Sequence, residues 1–180
     1  MKRINIMSIL FFLTLLPLAF QPNASASAMY RTTRVTFSAP VEIPGKVLPA
    51  GTYIFRLLYP TTDQNIVQVY NKNRTQLLAT MITIPDYLPR VPNTTIVKFG
   101  ENPAVSPPPI KEWFYPGDKT GREFVYPRKR AAEIAKAYNE NVLGTTETSK
   151  NPGTLVKGHV TAVTPQGNDA DYHSMVHPKH

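Results

Sequence analysis

Thr52-Tyr53-Ile54-Phe55-Arg56-Leu57 sets Tyr53, Phe55 and Leu57 on one side of an extended chain and Thr52, Ile54 and Arg56 on the other. Side chains in a strand point to opposite faces with a period of two, so this stretch reads as a strand with one face committed to a core. The same pattern recurs on both sides of it. Upstream, Val35 and Phe37 alternate with Arg34 and Thr36, and Pro44-Gly45 marks a type II turn, because proline presets φ and glycine accepts a positive φ. Leu48-Pro49-Ala50-Gly51 marks a second turn. Downstream come Ile66 to Tyr70, a polar turn at Asn71-Lys72-Asn73-Arg74, the longer run Leu77 to Ile84, and Thr94 to Phe99. Short alternating runs at this spacing, separated by turn residues, predict an all-β domain over residues 29–127: a β-sandwich of immunoglobulin or transthyretin type, or a small barrel.

Pro85 to Pro92 reads as a loop, and residues 101–110 as a linker ending in the extended triplet Pro107-Pro108-Pro109. Beyond it, Trp113-Phe114-Tyr115 and Phe124-Val125-Tyr126 flank Pro116-Gly117-Asp118-Lys119-Thr120-Gly121. The expectation is a β-hairpin that sets Trp113–Tyr115 opposite Phe124–Tyr126. Pro127 then opens a helix over 128–143, since proline loses nothing in a first turn. Ala131, Ile134, Ala135, Tyr138 and Val142 give it one apolar face. Residues 144–180 are polar, with one candidate strand between Leu155 and Val163, and are expected to be largely disordered.

The first 28 residues read as a secretory signal: basic Lys2 and Arg3, an apolar run from Ile4 to Phe20, then Ala24-Ser25-Ala26 and Ala26-Ser27-Ala28 as candidate cleavage sites. A retained anchor is disfavoured, because a spanning helix needs about 20 apolar residues and this run is interrupted by Pro17. The expectation is an exported protein, periplasmic or secreted, with no transmembrane segment after cleavage. No cysteine occurs anywhere, which excludes disulfides, thiolate catalysis and cysteine-held metals. Removing the signal lowers the formal charge from +8 to +6. The excess is spread along the chain and not gathered in one run, so a nucleic-acid partner is not indicated. The modest excess fits loose attraction to anionic lipid or polysaccharide and equally plain solubility, and the expected partner is an envelope protein or polysaccharide whose identity is open.

Catalytic residues are hard to assemble. The histidines, His159, His173, His177 and His180, all lie in the polar tail, and neither a nucleophile elbow nor a phosphate loop is present. Glu112 and Glu123 stand on opposite arms of the aromatic hairpin and could face each other as a glycosidase-like pair; the commoner state of such residues is solvent-facing, beside Lys111 and Arg122. His173, His177 and His180 are weak metal-ligand candidates, since Gly167, Asn168 and Pro178 argue against the helix that would align them. No cofactor is implied. Trp113, Tyr115, Phe124 and Tyr126 are candidates for stacking on a sugar ring, with burial in the core the favoured alternative. Arg128, Lys129 and Arg130 are candidates for contact with an anionic surface, with a solvated helix face the alternative. The reading is a non-enzymatic exported β-sandwich that binds or scaffolds an extracytoplasmic partner; a carbohydrate-binding module and a hydrolase are the alternatives.

Pro40-Val41-Glu42-Ile43-Pro44-Gly45-Lys46-Val47-Leu48-Pro49-Ala50-Gly51-Thr52-Tyr53, Trp113-Phe114-Tyr115-Pro116-Gly117 and Gly121-Arg122-Glu123-Phe124-Val125-Tyr126-Pro127, with the alanine-rich helix after them, resemble a family of short secreted proteins of Gram-negative soil bacteria. The resemblance spans about residues 30–140. It implies no activity, ligand or site residue.

Overall fold

A computed structural model describes residues 31–58, 66–100, 105–149, 151–155 and 157–172. Residues 1–28, read above as a secretory signal, and His173, His177 and His180 lie outside these residues.

The alternating runs form one large antiparallel sheet. Its strands are β1 (Thr32–Phe37), β4 (Gly51–Leu57), β5 (Ile66–Asn71), β6 (Leu77–Tyr87), β7 (Ile96–Phe99), β8 (Ile110–Phe114) and β9 (Thr120–Phe124). They lie in the order β1-β4-β5-β6-β9-β8-β7. Strand β6 holds the sheet together. Its first half, Leu77–Ile82, pairs with β5, and its second half, Thr83–Tyr87, pairs with β9 on the other side. Among the described residues the ladders of the two halves are therefore joined only through β6, and the sheet curls about it.

The curl brings the two ends of the sheet face to face. Phe37 on β1 meets Phe99 on β7 with ring centroids 6.4 Å apart. Phe55 on β4 meets Trp113 on β8 at 5.8 Å and Phe124 on β9 at 6.4 Å. The Trp113 indole Nε1–H donates to Thr33 Oγ1 on β1 at 3.0 Å. Tilted and edge-on aromatic pairs of this kind pack a curved interior more favourably than parallel stacks. The all-β fold expected from alternation is present, intermediate between a sandwich and a closed barrel.

A hairpin of β2 (Val41–Ile43) and β3 (Lys46–Leu48) covers one end of this interior, with Val41, Ile43 and Leu48 buried. Its turn has Gly45 at φ +77°, the conformation expected of Pro44-Gly45.

Three sequence expectations are corrected here. Pro85 does not end a strand; it lies inside β6, opposite Arg122. The Val125 N–H donates to the Ile82 carbonyl at 3.1 Å, so the backbone of Ile82 faces β9. Backbone groups alternate along a strand. Pro85 therefore turns its nitrogen toward the β5 side, where among the described residues the last β5 pair is Ile66 with Ile82. A proline is tolerated in a strand where no ladder donor is required.

The helix is shorter than expected: α1 spans Arg128–Tyr138 and ends at Asn139, whose φ of 54° is left-handed. Ala131, Ile134, Ala135 and Tyr138 are buried, as their spacing predicts.

The segment after the helix is not disordered through residue 172. β10 (Tyr126–Pro127) pairs in parallel with β11 (Val142–Thr145), which pairs with β12 (Val160–Val163) and that with β13 (Asp169–Ala170). A short helix, α2 (Pro152–Leu155), lies between β11 and β12. Gly144 is required where β11 passes under α1, because a Cβ there would lie 2.7 Å from Val163 and 3.2 Å from Ala131. Leu143, Leu155 and Val125 join Ile66, Ile82 and Ile84 in a second, smaller core on the outer face of the large sheet. The C-terminal region thus covers part of that face.

Candidate functional site

The hairpin forms, in a register displaced by four residues from the expected one. Trp113 pairs with Arg122, and Glu112 with Glu123. In the connection between the arms Gly117 takes φ +84° and Asp118 Oδ1 accepts the Thr120 N–H at 2.7 Å, and the β8–β9 ladder is taken up at Trp113 and Arg122. Gly121 makes the close approach possible, since a Cβ there would fall 2.1 Å from the Phe114 ring.

The four aromatic candidates are core, not a surface. Trp113, Tyr115, Phe124 and Tyr126 are 0%, 4%, 1% and 2% exposed. Curling directs that face of the hairpin inward, and the Tyr126 hydroxyl donates to the Ile110 carbonyl at 2.8 Å. No ring of the four is open to a sugar.

Two of the three basic candidates are engaged within the fold. Arg130 Nε and Nη2 donate to the two carboxylate oxygens of Glu42 at 2.7 and 2.6 Å, and Nη1 donates to Glu133 at 2.7 Å. This bidentate fork ties α1 to β2, and both hydrogen bonding to Glu42 and its charge hold the Arg130 guanidinium protonated against partial burial. Arg128 pairs with Asp169 at 2.6 Å and donates to the Gly167 carbonyl at 2.7 Å, joining α1 to the C-terminal sheet. Lys129 is exposed.

Glu112 and Glu123 do face each other, on the outer face of the hairpin. Register aligns Lys98, Glu112, Glu123 and Ile84 in one row across β7, β8, β9 and β6. Lys98 Nζ lies 2.5 Å from Glu112 Oε2, and Lys111 Nζ donates to Glu140 at 2.6 Å. Burial pushes the Glu123 carboxyl up to about 7; Lys111 and Lys98 oppose the rise, Glu112 and Asp86 add to it. Burial also raises the Glu112 carboxyl, with Lys98 opposing and Asp86 reinforcing. Sequence names Lys111 only as a neighbour of Glu112, and Asp86 and Lys98 are brought to the pair by strand register alone.

The space beside this pair is small. The crevice between Glu123, Lys111, Tyr138 and Glu140 has a free volume of about 20 Å³, on the order of one water molecule. A carboxylate with a pKa near neutrality can act as an acid or base, but a glycosidase must also seat a sugar ring against both carboxyls.

A larger opening runs along the first half of β6. This groove, of about 550 Å³, lies between Leu77–Ile82, the β2–β3 turn at Pro44–Lys46 and the segment Thr145–Ser149. Ile82, Val125 and Leu155 supply apolar lining, and Thr80, Thr145 and Ser149 supply hydroxyls. A second opening, of about 520 Å³, follows Ile82 and Ile84 past His159 to Asp171 and Tyr172. Sequence reasoning found neither, because both form where the C-terminal sheet meets the large one.

Among the described residues no group of three acidic, histidine or cysteine side chains is placed to hold a metal, and no helix is long and apolar enough to cross a membrane. No protein family, curated protein or solved structure matches the chain.

Proposed function

We propose that this chain is a non-enzymatic exported protein that binds or scaffolds a partner outside the cytoplasm. The observation that supports the reading is the groove along β6. It is of ligand-site size, between about 300 and 1,000 Å³, and mixes apolar lining with hydroxyls and open backbone. The export half of the reading rests on Lys2 to Ala28. Burial of Trp113, Tyr115, Phe124 and Tyr126 removes the stacking platform of a carbohydrate-binding module, so a protein partner is preferred to a polysaccharide.

The test is in two arms. Cross-linking the tagged chain in its native envelope should trap a discrete partner, and the purified chain should turn over no glycosidase, esterase or phosphatase substrate. A hydrolase is the second reading, favoured by the cross-strand placement of Glu112 and Glu123 and the raised pKa of Glu123. Turnover that disappears in Glu112→Gln or Glu123→Gln would replace the binding reading with it.

A further inference from the structure

The sheet divides at Ile82 and Val125. Up to that point β9 runs beside β6, and Val125 still bonds to Ile82. The chain then leaves, and Tyr126 and Pro127 pair with Gly144 and Thr145 of β11 instead. The first half of β6 is left with β5 on one side and the groove on the other.

Backbone alternation says which groups face that groove. Ile82 points its carbonyl away from β5, toward Val125. Two residues back, Thr80 must also turn its N–H and C=O away from β5, whereas Ala79 and Met81 turn theirs toward Val69 and Val67. Among the described residues no strand pairs with β6 on the Thr80 side. Thr80 therefore carries one donor and one acceptor at an open sheet edge inside a groove.

The second half of β6 has the reverse arrangement. Among the described residues no strand pairs with it on the β5 side beyond Ile82, and Pro85 has no donor to offer there. Proteins blunt free edges with proline to prevent pairing. Among the described residues the Thr80 edge has no such proline.

We infer that the groove edge at Thr80 takes an extended segment of a partner polypeptide by β-strand addition. This deepens the binding reading given above and rests on it. The chemistry selects a peptide backbone, since a strand supplies alternating N–H and C=O at the spacing that an open edge presents. Partner side chains pointing inward would meet Ile82, Val125 and Leu155, so small or branched apolar residues suit that face. Lys46 and Glu147, on opposite walls, would favour an acidic residue near the β2–β3 turn and a basic one near Thr145–Ser149. A second copy of the chain fits poorly. The edge is recessed between Pro44–Lys46 and Thr145–Ser149, and two recessed edges cannot reach each other across those walls.

The probe is a displayed library of random twelve-residue peptides selected on the purified full chain, with the best binder resynthesised. Thr80→Pro deletes the N–H that faces the groove and leaves the β5 ladder its donors. It should weaken the peptide about tenfold or more, the order expected for a lost backbone donor and a displaced strand. Thr80→Val keeps the backbone and should bind within about threefold of the native chain. Amide exchange provides a readout that needs no variant. The Thr80 amide should exchange fast in the free chain, with Ala79 and Met81 slow, and should become protected when the peptide is added. A Thr80 amide already protected in the free chain, no selected binder, or a binder indifferent to Thr80→Pro would each overturn the inference. Concentration-dependent dimerisation lost in Thr80→Pro would replace the partner with a second copy. A cross-linked envelope partner whose capture is unaffected by Thr80→Pro would sink this site and leave the binding reading standing.

Discussion

The hairpin β8–β9 has two faces of opposite character. On the inner face Trp113 and Phe124 lie among Phe55 and Tyr115, and the only polar atom of the indole is satisfied by Thr33. On the outer face two carboxylates stand directly opposite, with Lys98 beside one and Asp86 close by. Like charges directly across a ladder are destabilising, whereas tilted aromatic pairs add to the area they bury. The same few residues therefore supply fully buried aromatic packing on one face and two facing carboxylates on the other. The outer face is tolerated because Lys111 and Lys98 oppose the repulsion and because burial favours the neutral form of Glu123, which removes one of the two charges.

The C-terminal cover gives the largest predicted effect. Deleting residues 146–180 removes buried Leu155, Ala162 and Val163 and uncovers part of the outer face. The loss should be on the order of 5 kcal/mol, a large share of the roughly 5–15 kcal/mol that a domain holds. A melting temperature within a few degrees of the full chain would show that the two faces do not depend on the cover.

On the inner face, Trp113→Ala should cost about 3–5 kcal/mol, read from urea midpoints. Trp113 is the single tryptophan, so the native chain should emit at short wavelength and resist quenching by iodide. Red-shifted, readily quenched emission would break the contrast between the faces.

The outer face should respond to pH where the inner one does not. Glu123 ionises near 7 in the fold against 4.5 unfolded, so its neutral form is the one the fold favours. Its contribution is fully present below about 4.5 and is lost as pH rises toward 7 and beyond. Glu123→Gln should leave stability unchanged at pH 4 and raise it by roughly 2 kcal/mol at pH 8. A Glu123→Gln chain with the same pH–stability profile as the native one would contradict the assignment.

The smallest effect belongs to Lys98→Met. The lysine is 44% exposed, so its pair with Glu112 should be worth no more than about 1 kcal/mol. The sharper readout is the titration of the carboxylates, which should move to higher pH once a nearby positive charge is gone.

Much of this was legible before any coordinates. Alternation through Tyr53, Phe55 and Leu57 placed the inner core, Pro44-Gly45 gave the turn, and the spacing of Ala131, Ile134 and Tyr138 gave the buried face of α1. Even the facing of Glu112 and Glu123 could be entertained from their positions on two arms of a hairpin. What failed has a common cause. The exchange of partners along β6, the row from Lys98 to Ile84 and the second sheet all depend on pairing between distant segments. Pro85 looked like a break because a proline's cost depends on which neighbour its nitrogen faces, and that is not a local property. Residues 144–180 read as largely disordered, yet β11 and β12 form, because their few apolar side chains are buried by docking and each run is too short to show a period.

The contacts that close the inner core join remote parts of the chain: Thr33 meets Trp113 across 80 residues, and Glu42 meets Arg130 across 88. A polypeptide appearing N-terminus first can zip β1 to β4 early, but its interior cannot shut until α1 has arrived. Chains dominated by distant pairings fold slowly, over milliseconds to seconds in small β domains. Until the later segments are present, Phe37 and Phe55 lack the Phe99 and Trp113 rings they pack against in the fold. The order in which the chain is delivered, as much as its final packing, then sets how long this domain spends open to capture by other proteins.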